Sequence, residues 1–203
     1  KKKNLFILNN FSKKNYSKLK KNKNFTFLFL SNLFKQKGIL TFLNSIKKLN
    51  NKKYDFKAIV IGNNKNDIFF TKVKEIINKL DNVKYLGPLY GKKKDNELKK
   101  SNVLVFPTKH SNETFSLVVL ESMSSGTPVI TSSIGALTNI IDHKKNGFLL
   151  KKNNIDECVK YMEIFLKNKN LYKKYGKVAK KKYEKNYTFD IFEDNLINIL
   201  NKI

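Results

Sequence analysis

Residues 110 to 133, HSNETFSLVVLESMSSGTPVITSS, place two glutamates, Glu113 and Glu121, eight positions apart around an apolar run. Within this stretch Ser116 is spaced to cap a short helix over residues 117 to 124, Gly126 to stop that helix in the left-handed conformation, and Pro128 to open a strand. Glu113 then falls in the loop before the helix and Glu121 inside it. The first amides of a helix have no carbonyl within the helix to bond. Those near residues 116 to 118 therefore point outward and, with the helix dipole behind them, favour an anion such as phosphate. Lys37, in NLFKQKG at residues 32 to 38, is expected on a neighbouring loop as the compensating charge.

Carboxylates do different work at such a place. They repel phosphate and serve best as acceptors for sugar hydroxyls, so a glutamate on each side of a phosphate-binding helix start suits the sugars flanking a diphosphate. A single glutamate is most often a solvated surface charge; the phosphate-loop context sets these two apart. His110 reads as an exposed loop residue and His143, in IIDHKKNG, as a helix end before a turn. Neither has a cysteine or second histidine at metal-ligand spacing, so no metal site is expected. DNE at residues 95 to 97 could suggest an acid pair holding a metal, but reads better as the cap of a short lysine-rich helix. IGNN at 61 to 64 lacks the G-x-G-x-x-G pattern that a nicotinamide cofactor would need. Cys158 is the single cysteine. It excludes an internal disulfide framework and fits a buried helix face better than a nucleophile.

The elements that must position these residues alternate along the chain. NLFIL, FTFLFLS, KAIVIG, VKYLG, NVLVFPT, PVITSS and GFLL read as strands. Between them, residues 37 to 50, 68 to 80 and 155 to 166 carry apolar side chains at the three-and-four spacing of a helix with one buried stripe. From about residue 168 the chain reads as a lysine-rich amphipathic helical tail packing back on the sheet, anchored by Tyr172, Tyr175, Val178, Tyr183, Phe189, Phe192, Leu196, Ile199 and Leu200. Strand and helix in alternation predict an α/β fold, Rossmann-like, with a mostly parallel sheet covered by helices on both faces. With no repeat, linker or composition break, residues 1–203 read as one domain. Ligands of such sheets lie beyond the carboxyl ends of the strands.

The chain of 203 residues carries 42 basic and 16 acidic residues, a formal charge of +26, and every basic residue is lysine. That points to polyanions in general, but sequence-specific nucleic-acid readers rely on the arginine fork, so no specific nucleic-acid partner is expected. Lysine clusters at residues 1 to 3, 92 to 94 and 180 to 182 read as solvated faces, some of which could touch an anionic membrane surface. No apolar run is long enough to span a bilayer, and the lysine-rich start lacks the apolar stretch expected of a signal peptide. The expected location is cytoplasmic, including the inner face of the plasma membrane. The absent initial methionine suggests a piece of a longer protein.

The segment from FPTKHSNETFSLVVLESMSSGTPVITSS to GFLL resembles the signature region of the retaining glycosyltransferases of family 4, enzymes of the GT-B fold. FLSNLFKQKGI resembles their phosphate-binding loop, and VKYLGPLYGKKKDNELKKSNVLVFPT their intervening strands, so the likeness runs in order from about residue 24 to about 150. The resemblance implies the donor-binding, C-terminal half of a bacterial-type enzyme. Such an enzyme moves a sugar from a nucleoside-diphosphate sugar to a glycan or lipid-linked acceptor, as in surface polysaccharide synthesis. It needs no metal or cofactor.

By the same resemblance Glu113 is the catalytic residue, contacting donor-sugar hydroxyls near the reacting carbon, and Glu121 accepts from the ribose. Phe115, Ser116, Leu117 and Val118 present amides to the sugar and diphosphate, Lys37 meets the diphosphate, and Leu89 lies beside the base. Asn32 stands where members carry a second phosphate-binding arginine, which leaves Lys35 or Lys94 to supply that charge. Ser116 and Ala136 replace family glycines, and Asn139 a frequent glutamate. The acceptor-binding N-terminal domain would be the missing half, with LFILNN the crossing point between halves, and the piece alone is expected to transfer little sugar. A nucleotide-sugar epimerase of the same fold and a basic nucleic-acid-binding domain are the alternatives.

Overall fold

The computed structural model describes residues 6–13, 16, 21–64, 67–111, 113, 115–151 and 154–202. Six strands form one sheet: β1 (Thr26–Leu30), β2 (Lys57–Ile61), β3 (Val83–Tyr85), β4 (Val103–Phe106), β5 (Val129–Ser132) and β6 (Gly147–Leu150). All pair in parallel, in the order β3-β2-β1-β4-β5-β6. This is the doubly wound order, in which the chain runs outward from β1 one way and then, from β4, the other. Loops after β1 and β4 therefore leave the same sheet edge side by side, at the switch point where a ligand crevice opens.

Helices follow in the gaps: α1 (Ile39–Asn50), α2 (Ile68–Asn78), α3 (Gly91–Lys100), α4 (Leu117–Ser124), the four-residue α5 (Leu137–Ile140), α6 (Ile155–Lys167), α7 (Leu171–Asn186) and α8 (Phe189–Leu200). Their starts are locally encoded where a polar side chain stands ready. Asp67 accepts from the Phe70 amide, Asn154 from Glu157 and Thr188 from Ile191, each satisfying a first-turn donor.

Strand side chains alternate between two cores, which is why the runs look apolar throughout. Phe27, Phe29, Ala58, Val60, Val103 and Val105 pack under α1, α2 and α6 with Phe42, Ile46, Val73, Met162 and Phe165. Leu28, Leu30, Ile61, Leu104 and Phe106 pack on the other face with Leu98, Val119, Leu120, Leu137, Ala179 and Tyr183, from α3, α4, α5 and α7. The Cys158 side chain is fully buried in the first core.

Three expectations need correction. Residues 6 to 8 of the first apolar run, NLFIL, form no strand and Ile7 is exposed; Asn4 and Leu5 lie outside the described residues. Asp95, Asn96 and Glu97 sit in the middle of α3 and cap nothing, since the helix already begins at Gly91 after Tyr90. The tail is two helices, and only α7 packs on the sheet, through Tyr175, Ala179 and Tyr183. Thr188 starts a new helix, and α8 buries none of its residues; its Phe189 and Phe192 rings rest against Phe11 instead. Lysines 1 to 3 lie outside the described residues.

Candidate functional site

The loop after β1 tightens into a 3₁₀ turn, Lys35–Lys37, that ends on Gly38. Gly38 has φ of 84°, and a Cβ there would stand 2.0 Å from the Pro107 carbonyl oxygen, so only glycine allows this loop to lie against the one after β4. The two loops are also joined by hydrogen bonds. The Lys109 amide donates to the Gln36 carbonyl at 2.7 Å, and the Thr108 hydroxyl donates to the same oxygen at 3.3 Å.

This contact sets Lys37 on the β4 loop. Its Nζ donates to Glu113 Oε2 at 2.7 Å and stands 5.9 Å from the centre of the Phe106 ring. Thr108 Oγ1 approaches the same carboxylate oxygen at 3.4 Å, and the Glu113 amide donates to His110 O at 3.1 Å. Glu113 is only 8% exposed, so its charge is largely removed from water and the lysine compensates it. Behind it, Gly135 (φ 50°) brings the loop after β5 so close that a Cβ would stand 2.3 Å from Glu113 O. Ser132, at the carboxyl end of β5, keeps a buried hydroxyl with no hydrogen-bond partner among the described residues.

Glu121 lies one turn inside α4 and is 9% exposed. Lys94 of α3 reaches both of its oxygens at 2.7 Å. Two lysine–glutamate pairs thus flank the start of α4. Lys94, one of the two lysines named with Lys35 to supply the charge that Asn32 lacks, is held by Glu121, so the cluster at residues 92 to 94 is not a wholly solvated face. Lys182, in the cluster at 180 to 182, is likewise engaged, donating to Asp142 at 2.8 Å. Lys35 is exposed, as is Asn32, whose carbonyl accepts from the Phe34 amide at 2.9 Å.

Ser116 occupies the N-cap position of α4 but makes no side-chain capping bond; its carbonyl accepts from the Val119 and Leu120 amides. Leu117 and Val118 supply the first-turn amides with no helical carbonyl partner, and Leu117 is half exposed above the edge. Phe115 is partly buried, its ring 6.1 Å from Tyr187. Leu89 follows β3 on the same edge and packs against the second core. Asn112 and Thr114 lie outside the described residues.

The sequence reading missed Tyr16, whose hydroxyl donates to the buried Asp95 at 2.8 Å, just one residue from Lys94. Burial and the Asp95 bond push the Tyr16 phenol well up. No sequence signal marks a tyrosine 79 positions away as a partner for Asp95. His143 is not on this edge. Its Nδ1 accepts from the Leu149 amide at 3.0 Å and its ring packs on Phe148 and Tyr161. Burial, then Lys144 and Lys151, hold its imidazole below the usual range. Burial pushes the Cys158 thiol up to about 12, which makes it inert. Among the described residues no three His, Cys, Asp or Glu side chains come together as a metal-binding group. No helix among them is long and apolar enough to cross a membrane.

Comparison with known proteins places this geometry in a family. Over 200 residues the chain is 24% identical to the capsular polysaccharide biosynthesis glycosyltransferase CapM of Staphylococcus aureus, covering 95% of this chain and 50% of CapM. Other curated relatives are matched over 43% of their length, so the chain spans half or less of these proteins. Among solved structures, Anabaena HepE in complex with UDP superposes with a TM-score of 0.79 at 17% identity, over 89% of this chain and 49% of HepE. The C-terminal domain of LpcC, a group 1 glycosyl transferase from Francisella tularensis, superposes at 0.72 and 22% identity, over 81% of this chain and 87% of that domain. These likenesses establish the Rossmann-like α/β fold of GT-B glycosyltransferases. The profile of the "glycosyl transferases group 1" matches residues 10–182, and the chain belongs to that family.

Proposed function

We propose that this chain is the donor-binding, C-terminal half of a retaining glycosyltransferase that moves a sugar from a nucleoside-diphosphate sugar to a glycan or lipid-linked acceptor. The observation that carries it is the contact of Lys37 with Glu113 at the head of α4, beside helix amides that no carbonyl of the helix satisfies. Cation and helix start suit the diphosphate, and the two carboxylates suit the sugars on either side of it. Coverage of about half of CapM and HepE, and of most of the isolated LpcC domain, supports the reading of a half enzyme. The names of CapM, a capsular polysaccharide enzyme, and of HepE in complex with UDP favour surface polysaccharide synthesis and a uridine nucleotide.

In this reading each residue has a task. An ammonium has three protons, and Lys37 gives one to Glu113, so two remain for phosphate oxygens. The leaving diphosphate gains charge as the glycosidic bond breaks; Lys37 and the amides of Phe115, Ser116, Leu117 and Val118 are already in place to stabilise it. Glu113, steadied by Lys37 and Thr108, orients the donor sugar. Glu121 accepts from ribose hydroxyls with lone pairs that Lys94 leaves available, while Lys94 offsets its repulsion toward the diphosphate. No metal is needed for charge stabilisation, and retention asks no nucleophile of this half. Acceptor binding belongs to the other half, and Leu89 lines the base.

Calorimetric titration with UDP, GDP and ADP, with a short DNA duplex as control, tests the reading. UDP should bind selectively. Glu121→Gln should weaken that binding by about 1 to 3 kcal/mol, the worth of a charge-assisted hydrogen bond. Binding of duplex alone, with no response to nucleotides, would sink the assignment and leave a generic polycation.

A further inference from the structure

A second concave site lies at the opposite end of the sheet, where the strands begin. Lys21 before β1, Lys99 at the end of α3, Ser125 and Gly126 after α4, and Tyr172, Lys173, Gly176, Lys177 and Lys180 of α7 enclose a cavity of about 330 Å³ with Tyr16. That volume falls at the lower end for small-molecule sites. Among the described residues that line it, five are lysines and none is a carboxylate. The neighbouring cavity under β1 to β3 is a useful contrast, since there Asp81 accompanies Lys23, Lys57 and Lys84. The lysine excess of the chain alone therefore does not dictate an acid-free lining.

Lys21 is the central group. Its Nζ donates to Ser101 O at 2.6 Å and to Thr127 Oγ1 at 2.9 Å, two neutral acceptors that use two of its three protons. Burial drives its ammonium down to about 8. Lys99 hovers over the Tyr16 ring at 5.6 Å, and Lys180 donates to Tyr16 O at 3.4 Å and pairs loosely with Glu184 at 3.9 Å. Cations gathered on one half-enclosed cavity repel each other unless an anion joins them. The rings of Tyr16 and Tyr172 add apolar walls for whatever carries that anion.

We propose that this cavity binds a phosphate monoester, its phosphoryl group held among Lys21, Lys99, Lys173, Lys177 and Lys180. The carrier is a soluble phosphorylated molecule or a lipid headgroup; the chemistry is shared. The site is separate from the α4 edge and stands whether or not that edge binds nucleotide. An anion there restores the Lys21 proton, so binding takes up protons between about pH 8 and pH 10 and weakens as pH rises through that window.

Two probes settle it on the intact chain: glycerol phosphate by calorimetry, and phosphatidylcholine vesicles containing phosphatidic acid by co-sedimentation. Lys21→Met should lower affinity about tenfold, and the exposed pair Lys173→Ser with Lys177→Ser should do the same with no effect on folding. Lys72→Ser with Lys74→Ser, both exposed on α2, should leave it within about twofold. Glycerol phosphate binding with this pattern identifies a soluble ligand, and vesicle binding alone with this pattern identifies a headgroup. Binding of neither probe, or an equal loss in the α2 control, overturns the site.

Discussion

Lys37 and Glu113 share a proton donor and an acceptor at 2.7 Å, and that pairing decides what each substitution does. Lys37→Met would leave Glu113 as a buried carboxylate without its counter-ion, so loss of nucleotide binding would be mixed with loss of stability. The cleaner probe is a double-mutant cycle on the other pair. Lys94→Met and Glu121→Gln should each lower UDP affinity less together than the sum of their separate effects, by about 0.5 to 3 kcal/mol, because Lys94 acts through the carboxylate it holds. Strict additivity in calorimetry would mean that Lys94 contributes nothing through Glu121. Away from the site, His143 offers a pH signature. Its imidazole accepts from the Leu149 amide and is held below its ordinary range in the fold. The unfolded chain therefore binds the proton more readily, and the stability is complete above about pH 6.5 and is lost as pH falls through the lower, folded value. The melting temperature should drop across that acid range in the natural protein, and His143→Asn, which keeps an acceptor but does not titrate, should flatten the drop.

The elements were legible in proportion to how local their causes are. β1 to β6 and the helices α1, α2, α4 and α6 follow from periodicity and from caps such as Asp67 and Asn154, all of which act within a few residues. What periodicity could not supply was partnership. The first apolar run looks like a strand yet its described residues form none, and the amphipathic pattern of α8 says nothing about what covers its apolar side. At the site, spacing pointed to Glu113, Glu121 and Lys37, but the pairing of Glu121 with Lys94 depends on how α3 lies against α4. Asp95 shows the same limit, since a carboxylate that looks like a helix cap is instead buried against Tyr16. One glycine converts fold into site: Gly38 lets the β1 loop touch the β4 loop. Gly38→Ala should destabilise the chain by at least about 2 kcal/mol in urea unfolding, from left-handed strain plus the clash with Pro107. The same variant should also lose nucleotide affinity, since Lys37 would be displaced from Glu113. A fully stable variant would mean the loop can shift, and with it the proposed diphosphate contact.

At the scale of the whole molecule the dominant fact is a charge of +26 spread over both helical layers. Ion pairs absorb part of it, among them Lys48–Asp156, Lys52–Glu163 and Lys182–Asp142, yet 42 lysines face only 16 acids and most must repel one another. Such self-repulsion works against the compact state, and the two buried cores beneath it must outweigh it. Salt acts directly on this balance. Raising NaCl from about 50 to about 500 mM shortens the screening length from roughly 14 Å to roughly 4 Å, less than the spacing of most surface lysines. The melting temperature should therefore rise with salt by about 2 to 6 °C, the shift that roughly 1 to 2 kcal/mol produces in a domain of this size. A chain stabilised mainly by its surface ion pairs would behave the other way, because screening weakens them. The anion matters as a second axis. At equal ionic strength, inorganic phosphate should exceed chloride if the lysine-lined cavity around Lys21 takes up a phosphoryl group, and the excess should vanish in Lys21→Met. A melting temperature that tracks ionic strength alone, with no difference between the two anions, would assign the whole effect to diffuse repulsion and none to that cavity.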